Sequence, residues 1–182
     1  PFGWNSWSAV MDQLDFETDV SAADFLCGEL QKRGFENEGT VYVNFDAFWS
    51  KLSREQLAEA VGKVKANGQK PGIYFTPFTF WGKDPDVPVE GVSGTYTYRD
   101  LLLKDEAGEI LPKLAGGYAL DPSHPAVLER IRRELQRFVD LGFDYVKLDF
   151  LSHGALEGKH YLPEVRSGIQ AYRMGMAAIR DA

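Results

Sequence analysis

The sequence predicts an α/β fold in which βα units follow one another and their strands lie side by side in a parallel sheet. Three observations predict it. Strand-like and helix-like segments alternate from one end of the chain to the other, as βα units require. Two of the helical segments carry a capping residue at their start and three a glycine at their end, so much of their extent is written locally. The composition, 44% hydrophobic and 26% charged over 182 residues, is that of a packed core and not of a disordered chain.

Taken in order, the first strand falls at 3–7, and a helix follows over 18–33 that Gly34 can end in a left-handed cap. The second strand is 41–45. Its helix starts at Ser53, which makes a capping box with Gln56, turns Leu57, Ala60, Val61 and Val64 inward, and stops at Asn67 and Gly68. The third strand is 71–76. Residues 77–120 then break the rhythm with prolines, glycines and a hairpin-like pair, 96–103 and 109–114, turning at 105–108, and they read as a loop insertion after strand three. Ser123 or His124 caps the next helix, where Val127, Leu128, Ile131, Leu135, Phe138 and Val139 recur at helical spacing until Gly142. Strand four is 145–149. A last helix over 163–181 carries Val165, Ile169, Tyr172, Met176 and Ile179 along one face.

Four βα units make half of a (β/α)8 barrel of the TIM type, and residues 1–182 are expected to be its N-terminal half; an open four-stranded α/β sheet is the alternative. The chain opens on Pro1 and shows no signal peptide, which points to a piece cut from something longer and to the cytoplasm rather than secretion. No apolar stretch approaches the roughly 20 residues needed to span a bilayer. The net charge of -7, with Lys and Arg scattered, argues against nucleic acid as a partner. Cys27, the single cysteine, lies in an apolar helical pattern and reads as a small core residue.

Parallel strands covered on both faces run as almost continuous Val, Ile and Leu, so polar residues near their C-terminal ends need a reason. In strand four the two-residue period sends Lys147 and Asp149 to one face. In a barrel that face is the interior, and strand ends are where catalytic groups sit. A carboxylate beside an ammonium stays ionised, which suits a nucleophile; a buried structural ion pair explains the spacing equally well. Strand two repeats the arrangement with Asn44 and Asp46, followed by Phe48 and Trp49. Carboxylates beside indoles suit a sugar, which offers hydroxyls to acceptors and an apolar face to a ring. Trp4, Trp7, Trp49 and Trp81 all fall at strand ends or just beyond, and each also reads as core. Ser152 and His153 follow Asp149 on its loop, either as ligand contacts or as a turn ending in Gly154, while His124 and His160 read as a helix-start residue and a surface residue. Metal-ligand spacings are absent, so neither a metal nor another cofactor is expected.

The motifs resemble those of the α-galactosidase or melibiase group of retaining glycoside hydrolases, over nearly the whole chain. Gly3-Trp4-Asn5-Ser6-Trp7 is similar to the family's first-strand motif, and Tyr42-Val43-Asn44-Phe45-Asp46-Ala47-Phe48-Trp49 to its second-strand motif. Gly72-Ile73-Tyr74 resembles strand three, and Tyr145 to Asp149 the fourth strand, whose Lys-x-Asp supplies the nucleophile. The resemblance implies a (β/α)8 enzyme acting on a glycoside or oligosaccharide, with Asp149 attacking the anomeric carbon, Lys147 holding a ring hydroxyl, and Asp46 and Trp49 in the sugar subsite. Trp4, Trp81, Ser152 and His153 join the expected substrate contacts. The family usually carries a second aspartate where this chain has Ala47, which puts an α-galactoside preference in doubt. The acid/base aspartate is expected on a later strand, in the remainder of the barrel, so the isolated piece is expected to be inactive. Two other readings are a Schiff-base aldolase using Lys147 and a non-catalytic sugar-binding barrel.

Overall fold

The computed structural model describes residues 1–182. In chain order its strands are β1 (Gly3–Asn5), β2 (Tyr42–Phe45), β3 (Lys70–Phe75), β4 (Thr79–Phe80), β5 (Tyr118–Ala119) and β6 (Tyr145–Leu148). Its α-helices are α1 (Ser6–Val10), α2 (Phe16–Phe25), α3 (Arg54–Ala66), α4 (Tyr98–Leu101), α5 (Pro125–Leu141) and α6 (Gly168–Arg180). The chain forms two compact units, Pro1–Phe75 with Arg137–Leu148 and Thr76–Gln136 with Asp149–Ala182.

The first unit is a parallel sheet in the order β1-β2-β3-β6 with helices on one face. Period-two alternation sends Val43, Phe45, Ile73 and Phe75 to that face, where all are buried. Phe45 meets Phe143 edge-on and Phe75 meets Phe138. Leu57, Ala60, Val61 and Val64 line the inward side of α3, as their spacing predicts. Each large side chain so buried contributes about 1.5–3 kcal/mol. Ser53 caps α3 through the expected box: its hydroxyl accepts from the Gln56 N–H, and the Gln56 side-chain Oε1 accepts from the Ser53 N–H.

The start of the chain departs from the sequence reading. The first strand ends at Asn5 and not at residue 7, because Ser6, fully buried, begins α1 and accepts the backbone N–H of Asp46 at 2.8 Å. The next helix begins earlier than residue 18 because Asp15 caps it, accepting the Thr18 N–H at 2.8 Å. It continues through a π turn, Leu26–Leu30, and a 3-10 turn, Gln31–Arg33, to Gly34 at φ 86°. Cys27, expected in the core, is half-buried. Asp19, on α2, is fully buried with no partner for either carboxylate oxygen. Burial, with Asp15 nearby, pushes its carboxyl up to about 8.

The second unit holds the insertion after strand three. Its pairing differs from the expected hairpin, since β4 and β5 form an antiparallel ribbon that closes the base of the loop. The segment 96–103 coils into α4 instead of extending, with the Asp100 carboxylate accepting the Thr97 N–H at 2.8 Å. The turn at 105–108 does form, closed by the Gly108 N–H on the Asp105 carbonyl and flanked by a bridge between Lys104 and Ile110. The helix α5 runs on from this unit into the first, with Val127, Ile131, Leu135 and Phe138 buried, whereas Val139 is 60% exposed. The last helix starts at Gly168 and not at residue 163, because Ser167 caps it. Its buried side is not the expected one. Gly168, Ala171, Gly175 and Ala178 are buried while Ile169 is 58% exposed, because the backbone comes in close: a Cβ on Gly175 would lie 2.3 Å from the Phe78 ring.

Candidate functional site

The face of the parallel sheet opposite Val43, Phe45, Ile73 and Phe75 is polar, and the strand register builds it in two rows. In the lower row Asn5 lies opposite Asn44, Asn44 opposite Gly72, and Gly72 opposite Tyr145. The Asn44 Nδ2 donates to Asn5 Oδ1 at 3.0 Å. Gly72 supplies no side chain, and the space is taken by its neighbours: a Cβ there would lie 2.8 Å from both Asn44 Oδ1 and the Tyr145 ring.

In the upper row Tyr74 lies opposite Lys147. The Lys147 ammonium passes 5.2 Å over the Tyr74 ring and donates to Asp46 Oδ2 at 2.7 Å. Asp46 is buried, and each of its oxygens meets donors: Oδ1 takes the Ala47 N–H at 2.7 Å, and Oδ2 takes Asn44 Nδ2 at 3.3 Å as well as Lys147. Lys147 and Asp46 were both expected on this wall, and the structure brings them into contact. A cavity of about 180 Å3 opens on the wall, with Trp4, Asn5, Tyr42, Asn44, Tyr145 and Lys147 among its lining.

The aromatic residues of this unit divide by use. Trp49 is half-buried, its indole N–H donating to the Tyr74 carbonyl at 2.7 Å, with Phe138 edge-on at 5.4 Å and Arg137 over the ring. Trp7 and Phe48 stack at 6.2 Å with their planes 10° apart, and both are about two-fifths exposed (41% and 42%). Phe48 sits in the left-handed region at φ 71°, where a side chain is strained.

In the second unit, Asp149 directly follows β6 and its Oδ1 accepts the N–H of Phe150 at 2.8 Å, the same local bond that Asp46 makes to Ala47. Phe150 also has positive φ, 52°. A 3-10 turn, Leu151–Ala155, carries Ser152, which is exposed, and His153, which is buried with Nε2 2.9 Å from the Leu114 carbonyl. Trp81 is 44% exposed, donates to Thr76 Oγ1 at 3.0 Å and meets Phe150 edge-on at 4.8 Å, so Trp81, Phe150 and His153 form one aromatic cluster.

His160 was expected at the surface and is not there. Its side chain is 1% exposed, with Nδ1 3.0 Å from Asp121 Oδ1. Asp121 is itself buried and accepts from the Ser123 N–H and hydroxyl and from the Tyr161 N–H, so it ties 160–161 to the start of α5. His124 stands at the helix start as expected, its Nδ1 accepting the Ala126 N–H, and burial lowers its basicity against the opposing pull of Asp121 and Asp100.

Sequence reading missed Ser6, Asn5 and Gly72 as parts of the polar wall. The period-two pattern of strand two already placed Asn44 with Asp46; only the register between strands shows that Gly72 is the slot that admits it.

No helix of the chain is long and apolar enough to cross a membrane. No family model matches the sequence. Solved structures do match the fold. The α-galactosidase TtGalA from Thermus thermophilus, in complex with stachyose, is 22% identical with a TM-score of 0.72, covering 100% of this chain and 37% of that one. The GH36 α-galactosidase AgaA from Geobacillus stearothermophilus is 19% identical, TM-score 0.70, covering 100% of this chain and 26% of its own. A putative α-N-acetylgalactosaminidase from Bacillus halodurans is 18% identical, TM-score 0.63, covering 99% and 46%. At these identities the likeness is one of fold, and the chain spans less than half the length of each of these structures.

Proposed function

We propose that this chain is the N-terminal half of the catalytic barrel of a retaining α-glycoside hydrolase that removes terminal α-linked sugars, with Asp149 as nucleophile. The observation that carries the proposal is the Lys147–Asp46 contact at 2.7 Å, at the C-terminal ends of parallel strands, in a fold similar over the whole chain to α-galactosidases and α-N-acetylgalactosaminidases. A buried carboxylate met by donors on both oxygens serves as an acceptor for sugar hydroxyls, not as a proton donor. Asp149 takes its role from the Lys-x-Asp pattern, two residues beyond Lys147.

In the proposed reaction the Asp149 carboxylate forms an ester bond to the anomeric carbon as the bond from that carbon to the leaving oxygen breaks. The leaving oxygen takes a proton from a carboxyl group in the remainder of the barrel, which must stand about 5–5.5 Å from the nucleophile. Water, giving its proton to that same group, then cleaves the ester and frees Asp149. Lys147 and Asp46 hold ring hydroxyls, and Trp4, Trp49, Trp81, Ser152 and His153 are proposed as further sugar contacts. Ala47 offers no acceptor, so a related α-glycoside suits this wall as well as an α-galactoside does. An aldolase needs a lysine amine free to attack a carbonyl, and the Lys147 Nζ is instead engaged with Asp46 at 2.7 Å.

The test is chemical rescue in the complete parent enzyme. Asp149→Gly should abolish turnover of an aryl α-glycoside, and azide should restore part of it, giving a glycosyl azide of inverted configuration. Full turnover by Asp149→Gly without azide would refute the assignment, and no turnover by the wild-type parent on any α-glycoside would favour a non-catalytic sugar-binding barrel.

A further inference from the structure

We infer that Asn44 is a positioning residue whose amide, bridging Asn5 and Asp46, fixes the Asp46 carboxylate for a sugar hydroxyl; this rests on Asp46 being a sugar contact. Asn44 is 6% exposed, so its polar atoms depend on protein partners. Its Nδ2 has two acceptors, Asn5 Oδ1 at 3.0 Å and Asp46 Oδ2 at 3.3 Å. The amide therefore has one workable orientation, since reversing it would set oxygen against both acceptors. That orientation leaves Asn44 Oδ1 buried without a hydrogen bond, in the slot that Gly72 leaves open.

A residue kept only for packing would not tolerate an unpaired buried oxygen when an apolar side chain could fill the same space. The arrangement makes sense if the donor is needed. The Lys147 ammonium pulls Asp46 Oδ2 toward β6, and Asn44 holds the same oxygen from its own strand, so together they set the direction in which the carboxylate faces. Asn5 anchors the far side of the amide.

The polarity of the bridge gives a test, because Asn→Asp is nearly isosteric at both ends. Asn5 accepts, so Asn5→Asp keeps the bond. Asn44 donates, so Asn44→Asp replaces the donor with a carboxylate beside Asp46, and the two can share the space only by holding a proton. In the complete parent enzyme, Asn44→Asp should raise KM for an aryl α-glycoside by about tenfold or more, with the loss deepening as pH rises, and Asn5→Asp should lose much less. Equal effects of the two substitutions, or a loss by Asn44→Asp that is flat with pH, would overturn the inference. Should Asn44→Asp not fold, Asn44→Ala and Asn5→Leu are read for the same rise in KM. An independent measurement is 15N NMR of the Asn44 side-chain amide. Asp46→Ala should shift one of its two protons and Asn5→Ala the other. Shifts of neither overturn the bridge, whereas correct shifts in a parent inactive on every α-glycoside uphold the bridge and refute the proposed function alone.

Discussion

Lys147 reaches Asp46 at 2.7 Å across β3, the strand that separates them, with the Tyr74 ring lying under its ammonium. The two partners are unequally buried, 31% of the Lys147 side chain being exposed against 2% of Asp46. Removing the lysine leaves a buried carboxylate with only the neutral donors of Asn44 and Ala47, whereas removing the carboxylate takes one partner from an ammonium that water can still reach. Lys147→Met should therefore destabilise the protein more than Asp46→Asn does, by about 1–3 kcal/mol against about 1 or less. Urea unfolding of the two variants decides it, and the reverse order would mean that Asp46 is solvated in a way its burial denies.

Gly72 and Gly62 make a matched pair for the slot. Alanine at 72 would bring its Cβ to 2.8 Å from Asn44 Oδ1 and from the Tyr145 ring, whereas alanine at 62, on the exposed side of α3, meets nothing within 4 Å. Gly72→Ala is expected to cost about 1–3 kcal/mol and Gly62→Ala to stabilise by roughly 0.5–1 kcal/mol. Thermal unfolding should move in opposite directions for the two, and a neutral Gly72→Ala would show that the asparagine and the tyrosine can give way.

Asp19 makes stability depend on pH. Its carboxyl titrates at about 8 in the folded chain against an ordinary 3.8. Below 3.8 both states hold the proton and nothing changes. Between 3.8 and about 8 the unfolded chain has released a proton that the folded one keeps, so stability falls as pH rises, by at most about 1.4 kcal/mol per unit, and levels off above. Asp19→Asn should remove that slope and be the more stable protein at pH 8. Parallel pH profiles for wild type and variant would show that Asp19 titrates normally.

What the sequence carries locally is legible in it. Ser53 and Gln56 announce the start of α3, Gly34 and Gly68 end their helices with positive φ, and the alternation in strands two and four assigns Asp46 and Lys147 to one face. What depends on distant partners is not. The strand at Asn5 ends because Ser6 is claimed by Asp46, forty residues on. His160 is buried because Asp121 takes its ring nitrogen, and nothing within a few residues of His160 signals that. The last helix misleads for a related reason: a search for large apolar side chains finds Ile169, while contact is made where glycine and alanine let backbone approach ring. In the candidate site spacing turns Asp46 and Lys147 inward on their own strands, but their contact across β3, like the amide bridge, needs the register between strands.

Asp46 and Asp149 each close a hydrogen bond with the N–H of the residue that follows, at 2.7 and 2.8 Å. A carboxylate held this way has surrendered its free rotation already, in the folding of its own loop. Freezing a mobile side chain when a ligand arrives weakens binding by about 0.5–1.5 kcal/mol. For these two aspartates that entropy is lost in folding, so the ligand proposed for them would meet groups that need not be ordered first, and the left-handed strain at Phe48 and Phe150 lies in the turns that accompany this rigidity.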